Sequence, residues 1–320
     1  MATDNYHDKG YKELLSKRRN FVKFLRHFVK SDWVKHVEED DLRLCDKGFV
    51  DPFFSELESD LIYSAKVSGR DVYFFVLTEL QSTIDFTIPF RMFKYISAIL
   101  MREFNDTPKE KRERSDFRLP AVVPILFYNG EKGWFVTRSF KEYLQDGDLF
   151  EGVIDFNYSL VDINLLDKEY LQKNHDAICA AIAVDKLRGK GHKQLFETLK
   201  GIEESRLDFT PEEFTDFLTW FKHSMEHRVD SEEEADRIIS LIMEGDVEMT
   251  KTWFDDLCDN AEAKGEARGE ARGEARALIA AAAKLVESGM SIQEISDRLE
   301  LSPEQIEQLE VKLGMKKEMA

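Results

Sequence analysis

The chain has 320 residues, and its 63 acidic and 45 basic side chains give a formal net charge of -18. This length is typical of two domains, or of one domain with an appended segment. The apolar content of 42% and the aromatic content of 12% predict a folded core and exclude a largely disordered chain. A strongly acidic surface repels phosphate, so the total charge argues against a nucleic-acid partner.

Three cysteines, Cys45, Cys179 and Cys258, are too few and too scattered to predict a disulfide framework or a zinc cluster. No apolar stretch approaches the roughly 18 residues that a membrane span requires. The first residues lack the apolar segment of a secretory signal. We therefore expect no membrane span and a cytoplasmic location.

The negative charge is unevenly distributed along the chain. Residues 1–150 carry a net charge of -1, residues 151–260 carry -14, and residues 261–320 carry -3. This asymmetry predicts a boundary near residues 150–170. Because residues 1–150 are nearly neutral, the objection to a nucleic-acid partner applies chiefly to the middle of the chain.

The elements of the first half alternate between helical and strand patterns. The apolar spacing predicts an amphipathic helix over residues 9–30 and a short helix over 50–58. Residues 60–67 and 72–80 read as two strands joined by turn residues at 68–71, which is the pattern of a hairpin. The second strand contains an apolar run that does not alternate, so we expect it to be central and covered on both faces.

A helix is predicted over residues 89–104, with Pro89 in its first turn, and a charged loop over 105–118. Residues 120–128 read as another buried strand, the pair Asn129-Gly130 as a turn, and residues 133–137 as a further short strand. This order indicates an α/β core with helices packed on a mixed sheet.

The pattern is helical from about residue 168, which predicts an all-α C-terminal region. Candidate helices span residues 175–188, 192–204, 211–228, 231–244 and 246–259. Residues 265–276 repeat the letters GEAR, which favours a weakly helical linker over a glycine-alanine face for close helix packing. Residues 290–309 have helix-turn-helix spacing, but the acids Glu304, Glu307 and Glu310 favour a packing or oligomerisation module over DNA reading.

The polar residues at the ends of the predicted hairpin strands are the strongest candidates for chemistry. Asp60 begins the first strand, and Glu79 and Gln81 lie near the end of the second, after 18 intervening residues. Residues two apart on a strand project from the same face. Burying such groups costs free energy unless they have partners, and Mg²⁺ prefers carboxylate oxygens. Two carboxylates could hold Mg²⁺ against a phosphate.

This arrangement resembles the PD-(D/E)XK nuclease superfamily, with Gln81 at the position of the superfamily's lysine. Within it, the chain is similar to the recombination-promoting nuclease (Rpn) family, also called YhgA-like putative transposases. The matching positions are Ser59-Asp60, Glu79-Leu80-Gln81-Ser82, Asp85, Arg91, Tyr95, Pro120 to Gly130, Trp134 and His7-Asp8. Asn129 stands where the family usually has histidine.

The resemblance implies a restriction-endonuclease-like mixed sheet and a metal-dependent DNA endonuclease associated with recombination. Asp60 and Glu79 would bind Mg²⁺, or Mn²⁺ in its place, and Gln81 would orient the attacking water or contact phosphate. The neutral amide of Gln81 cannot stabilise a charged transition state as lysine does. The alternative is therefore a catalytically weak or inactive nuclease fold that binds DNA or protein in mobile-element or phage-defence biology.

We divide the chain into a nuclease core (1–165), an acidic helical region (166–260), the GEAR-repeat linker (261–277) and a small helix-turn-helix-like tail (278–320). DNA is expected to meet residues 1–150 and to lie away from the acidic helical region. We also expect a homodimer, because double-strand cleavage commonly uses two symmetric sites.

Each candidate also has a structural explanation. Asp60 and Glu79 could face water at strand ends, and Glu56 and Glu58 fit a solvated helix face better than a third carboxylate ligand. Asp85 and Arg91 fit a structural ion pair. The i,i+4 pair His223 and His227 fits two surface histidines better than a metal site. The basic run 109–114 could guide phosphate or form a solvated loop.

Overall fold

The computed structural model describes residues 5–45, 61–79, 84–130, 132–188 and 192–225, together with 236–237, 239–240, 242, 278–286, 290–299, 301–302, 305–306, 309 and 313. For residues 5–8, 79, 192–193 and 297 it describes the backbone alone. Tertiary contacts divide the chain into two compact units, Met1–Lys251 and Thr252–Ala320. No helix in the described ranges is long and apolar enough to span a bilayer.

A mixed five-stranded sheet forms the centre of the first unit. Its strands are β1 (Arg43–Leu44), β2 (Leu61–Val67), β3 (Arg70–Glu79), β4 (Ala121–Tyr128) and β5 (Ser159–Asp162). Their spatial order follows the chain. The pairs β1–β2 and β2–β3 are antiparallel, whereas β3–β4 and β4–β5 are parallel. The predicted α/β class with a mixed sheet is therefore confirmed.

The predicted hairpin is β2 and β3. Its register pairs Leu61 with Val76 and Val67 with Arg70. Ser68 and Gly69 form the turn with φ angles of 51° and 76°. These left-handed values are readily adopted by glycine, and they tighten the turn to two residues.

β3 is the central strand, as its unalternating apolar run predicts. The side chains of Phe74, Phe75, Val76 and Leu77 are all 0% exposed. Phe75 and Leu77 lie in a core cluster with residues of helix α3 (Ile88–Asp106). The opposite face of the sheet meets helix α2 (Arg18–Phe28), where Phe21 stacks on Tyr63 with 4.2 Å between ring centroids.

The single helix predicted over residues 9–30 is wrong, because the chain forms two helices there. α1 spans Asn5–Ser16, and Lys17 is extended with φ -84° and ψ 117° before α2 begins. The apolar periodicity continues through both helices, and no glycine or proline marks the break. After the bend both helices pack on the sheet, Tyr11 of α1 against Phe127 with 4.8 Å between ring centroids and Phe21 of α2 against Tyr63. α1 also contacts a later helix, where the Tyr11 and Trp220 rings lie 5.3 Å apart.

The middle of the chain follows the prediction with two differences. The helix predicted over 89–104 is α3, and the charged loop contains a short helix α4 (Lys109–Arg112). The strand predicted over 133–137 is absent from the described structure, and β5 instead pairs with β4. The backbone N–H of Trp134 donates to the Asp162 side chain at the end of β5, at 3.0 Å. This N–H group is therefore satisfied by a side chain and not by the backbone of a neighbouring strand.

Five more helices are described in the first unit: α5 (Phe140–Tyr143), α6 (Lys168–Lys173), α7 (Ala177–Asp185), α8 (His192–Glu204) and α9 (Pro211–Met225). Of these, α5 packs on α3. Three of them confirm the helices predicted over 175–188, 192–204 and 211–228. Helices α7 and α9 contact α1 and α2. The predicted helix over 50–58, most of the two helices predicted over 231–259, and the GEAR repeat lie outside the described residues.

The second unit is a small helical cluster. Residues 278–286 are helical, and α10 spans Ile292–Leu299. Ser291 and Glu294 bond each other's backbone N–H groups at the start of α10, which is a capping box. The buried core of this unit comprises Ile279, Ala282, Ala283, Ile295, Leu301 and Leu309.

Candidate active site at the ends of β3 and β4

The predicted catalytic residues lie at the start of β2 and at the end of β3 in the sequence. Glu79 is the last residue of β3, and its backbone pairs with Tyr128, the last residue of β4. Asp60 directly precedes β2, and Gln81 follows Glu79 by two positions. Both lie outside the described residues, as do Glu56 and Glu58. The metal site therefore stays a prediction. Of its residues, only the backbone of Glu79 is described.

One face of the hairpin points toward α3. Ile62 of β2 and Phe75 and Leu77 of β3 lie in the same buried cluster as Met92 and Tyr95 of α3. Alternate residues of a strand share a face. Ile62 is two positions after Asp60 in the sequence, and Leu77 is two positions before Glu79.

Asp85 and Arg91 form the ion pair that the structural explanation predicts. Nη1 of Arg91 lies 3.0 Å from Oδ2 of Asp85, and the backbone N–H of Thr87 donates to Oδ1 at 2.7 Å. Partial burial raises the pKa of Asp85, but the hydrogen bonds from Thr87 and Arg91 outweigh it and hold that pKa below its ordinary value. The pair joins the turn before α3 to its first helical turn.

Tyr95 carries a buried hydroxyl on the same helix. Its ring stacks on Phe75 with 4.0 Å between centroids, and the side chain is 1% exposed. Its hydroxyl has no hydrogen-bond partner among the described residues. Buried hydroxyls without partners are uncommon. Tyr95 is thus a family position that the structure packs against Phe75 on the α3 side of β3.

Beyond β4, the chain folds tightly around Tyr128. The Tyr128 hydroxyl donates to the carbonyl oxygen of Lys132 at 2.6 Å, and the ring packs edge-on against Trp134 at 4.9 Å. A Cβ atom on Gly130 would lie 2.3 Å from the Tyr128 oxygen. A side chain at residue 130 would therefore clash with Tyr128 unless the turn shifted. The similarity to the family at Gly130 and Trp134 has a structural explanation here, whereas Asn129 departs from the family.

A buried carboxylate that the sequence interpretation missed lies beside the end of β4. Oδ2 of Asp185 accepts hydrogen bonds from Nδ2 of Asn129 at 2.7 Å and from the Tyr11 hydroxyl at 3.1 Å. Arg188 pairs with its other oxygen at 2.5 Å. Burial and then the charge of Asp185 raise the pKa of Tyr11. The sequence does contain a signal for this carboxylate, because Asp185 ends the apolar run AICAAIAVD. An acid in such a run is expected to be buried, and a buried acid requires partners.

Asn129 therefore connects β4 to α1 and α7 through Asp185. Its side chain is buried, and its Oδ1 has no partner among the described residues. Because Asn129 directly follows the residue paired with Glu79, this contact joins the candidate site's edge of the sheet to the helical layer.

His223 and the basic run 109–114 have ion-pair partners close to them in the folded chain. His223 is partly buried against α1, with Nε2 3.1 Å from Oε2 of Glu13, so the prediction of a surface histidine is wrong at this position. His227 lies outside the described residues. The run 109–114 is a solvated segment with neighbouring ion pairs, for example Arg114 with Asp116 at 2.8 Å.

A large cleft lies at the opposite end of β3. Its volume is about 1110 Å³, and Trp33, Arg70, Lys111, Phe117 and Arg118 are among the residues that line it. Arg70 begins β3, Lys111, Phe117 and Arg118 lie in the segment before β4, and Trp33 stacks on Phe74 of β3, whereas Glu79 ends β3. This cleft is therefore separate from the candidate active site.

Comparison with known proteins identifies the family. The profile of the YhgA-like putative transposases matches residues 5–210. The chain belongs to this family. The match covers the whole sheet and helices α1 to α8. No solved structure matches the chain significantly.

Curated relatives within the YhgA-like family carry nuclease names. The chain is 28% identical to recombination-promoting nuclease RpnD of Escherichia coli O157:H7 over 184 residues, 57% of this chain and 68% of the relative. It is 28% identical to RpnC of E. coli K12 over 174 residues, 54% of this chain and 55% of the relative. It is also 25% identical to the inactive recombination-promoting nuclease-like protein RpnE of E. coli K12 over 183 residues, 57% of this chain and 58% of the relative. The YhgA-like family is thus of nuclease type and includes members named inactive.

Proposed function

We propose that the protein is a metal-dependent DNA endonuclease of the recombination-promoting type that hydrolyses phosphodiesters. The observation that carries this proposal is the end of the hairpin. The backbone of Glu79 ends a central buried strand, and the β2–β3 register pairs Leu61, the residue after Asp60, with Val76. Strand alternation carried one step further would bring the carboxylates of Asp60 and Glu79 to the α3 face.

The donor set fits a hard divalent ion. Asp60 and Glu79 supply carboxylate oxygens, which Mg²⁺ and Mn²⁺ both accept. When bound, the ion lowers the pKa of a coordinated water and stabilises the charge on the leaving oxygen. In this proposal Asp60 and Glu79 hold the ion, and the amide of Gln81 orients the attacking water. Without a lysine at position 81, charge stabilisation depends more heavily on the ion.

The partner in this proposal is DNA, approached by residues 1–150. The near-neutral charge of this segment supports that orientation, because its site carboxylates would be offset by the bound ion. The nuclease names of RpnD and RpnC support DNA as the substrate class.

The decisive experiment is nicking of supercoiled plasmid in Mg²⁺ by the full chain and by Asp60→Ala and Glu79→Ala. Loss of a metal ligand should reduce the rate at least about 100-fold, as expected for removal of charge stabilisation worth several kcal/mol. Asp71→Ala is the matched control, because Asp71 is an exposed acid at the other end of β3. Equal nicking by all four proteins would overturn the site assignment.

The second candidate is a nuclease fold that binds DNA or protein without cleaving it. Gln81 in place of lysine and the relative named inactive favour it. Thermal unfolding distinguishes the two functions, because a ligand that binds the native state raises Tm. The enzyme hypothesis expects Mg²⁺ or Mn²⁺ to raise Tm of the wild type and not of Asp60→Ala. The binding hypothesis expects no rise in either protein and no nicking.

A further inference from the structure

We propose that His27, Asp176 and Cys179 form a binding site for a borderline transition-metal ion such as Zn²⁺. One ligand atom from each residue lies within 4.8 Å of the other two, in a set that comprises a ring nitrogen, a carboxylate oxygen and a sulfur. Nitrogen and sulfur donors together select zinc-like ions over Mg²⁺. The site is therefore chemically distinct from the proposed nuclease centre.

Two elements bring these ligands together. His27 lies in the last turn of α2, Asp176 is the N-cap residue of α7, and Cys179 lies in the first turn of α7. Asp176 and Cys179 are 149 and 152 positions from His27, so sequence spacing gives no signal for this cluster. The expectation of no zinc cluster rested on the number and spacing of the cysteines.

The atoms that would not bind the ion are already held. Oδ1 of Asp176 accepts from the backbone N–H of Cys179 at 2.9 Å, which leaves Oδ2 facing His27 Nε2 at 2.7 Å. Nδ1 of His27 lies 2.8 Å from the Tyr170 hydroxyl. In metal proteins a hydrogen bond to the outer ring nitrogen sets the tautomer and orients the ligand. Tyr170 and the N–H of Cys179 provide this support here.

The burial of the cluster suits a site with one open position. Cys179 is fully buried and Asp176 nearly so, whereas the His27 side chain is 16% exposed. Tyr170 covers the outer side and is partly exposed. Three protein ligands with a water in the fourth position are the usual arrangement of an accessible zinc ion.

The chemistry of the two buried ligands suits a cation. Asp176 places a carboxylate oxygen close to the Cys179 sulfur, and both groups bind metal ions in their anionic forms. A bound cation would stabilise both anionic ligands, with release of the thiol proton to solvent. Lys23, the nearby cation, pairs with Glu213.

Ion binding requires small side-chain movements. Two ligands that are each about 2.0 Å from a tetrahedral ion are about 3.3 Å apart. The His27–Asp176 contact must therefore lengthen slightly, and the farthest pair of ligand atoms must approach by roughly 1 Å. Without the ion, the same residues form a helix cap and a His–Asp pair.

The test is Co²⁺ titration of the full chain after removal of metals with EDTA. Cobalt reports thiolate ligation through a near-ultraviolet charge-transfer band and reports a tetrahedral site through its visible spectrum. Cys258→Ser serves as the background, so that Cys45 and Cys179 are the remaining thiols. We expect a saturable 1:1 band that Cys179→Ser abolishes, that the matched control Cys45→Ser keeps, and that Zn²⁺ displaces.

Two further measurements keep the test independent of folding defects. Tyr170→Phe should weaken Zn²⁺ binding about tenfold, because it removes ligand support without changing a ligand. X-ray absorption at the zinc edge of the wild-type complex should show one sulfur at about 2.3 Å. No cobalt band in the wild type, a band lost in Cys45→Ser instead, or a zinc shell without sulfur would overturn the site. Asp60→Ala should leave the cobalt band unchanged. Failure of the nuclease proposal is therefore distinguishable from failure of this metal site.

Discussion

Arg19 and Asp216 are 197 positions apart in the chain, and the Arg19 guanidinium donates to Oδ2 of Asp216 through Nη2 at 2.8 Å and Nε at 3.1 Å. Nζ of Lys17 and Nδ2 of Asn20 also bond this carboxylate, at 2.5 and 2.9 Å. Asp216 is almost fully buried. A buried charge persists when it is paired and fully hydrogen-bonded, and these donors satisfy that requirement.

This contact changes the interpretation of the acidic middle of the chain. Several acids of residues 151–260 are buried rather than displayed to solvent: Asp162, Asp176, Asp185, Glu213 and Asp216. Three of them pair with the basic segment around α2, through Arg19 with Asp216, Lys23 with Glu213, and His27 with Asp176. The acidic helices thus supply counter-charge to the N-terminal helices. The basic residues of α2 are correspondingly less available to contact DNA phosphates.

Asp216→Asn should lower the free energy of unfolding by about 2 kcal/mol, because it removes charge-assisted hydrogen bonds to a buried group. Urea unfolding measures this change. Asp148→Asn is the control, since Asp148 pairs with Lys141 at 3.2 Å while 82% exposed. Its effect should stay below about 0.5 kcal/mol. Similar losses in the two variants would contradict the importance of the buried contact.

Acidification should destabilise the wild type partly through Asp216. Burial raises its pKa, but hydrogen bonds from Lys17, Arg19 and Asn20 outweigh this and hold the pKa below the ordinary value. A folded-state pKa below the unfolded value of about 3.9 contributes stability above that value, and the contribution is lost as pH falls through the folded pKa. Urea midpoints between about pH 5 and pH 2 should therefore fall less steeply in Asp216→Asn. Parallel slopes would contradict this.

Gly130→Ala should destabilise the protein by about 1–3 kcal/mol, because the new Cβ would meet the Tyr128 ring and hydroxyl. Gly133→Ala provides a matched control three residues later, where a Cβ would have no neighbour within 4 Å. That change should be neutral within about 0.5 kcal/mol. Thermal and urea unfolding compare the variants, and equal stability would show that the turn opens without cost.

Two buried tyrosines should respond differently to loss of the hydroxyl. Tyr63 donates to the carbonyl oxygen of Leu15 at 2.9 Å, whereas the Tyr95 hydroxyl has no partner among the described residues. Tyr63→Phe should therefore cost about 1 kcal/mol, and Tyr95→Phe should be neutral or stabilising by a similar amount. Urea unfolding measures both. An equal loss in Tyr95→Phe would reveal a partner for this hydroxyl outside the described residues.

Local patterns predicted much of the sheet and of helix α3. The apolar run of β3 predicted a strand covered on both faces, and Phe74 and Phe75 confirm it from opposite sides of the sheet. The turn residues around Gly69 predicted the hairpin, because a left-handed turn position favours glycine. Pro89 correctly indicated the first turn of α3. Each of these signals acts between residues close in the chain.

Features that depend on residues distant in the sequence could be found only in the folded structure. The extended Lys17 carries no local signal, since the apolar pattern is continuous across it, and its Nζ bonds the distant Asp216. The pairing of β5 with β4 and the carboxylates of Asp185 and Asp216 likewise depend on groups that meet through folding. Composition established an excess of negative charge. Its distribution between the core and the surface followed from which helices bury their acids against the basic residues near the N-terminus.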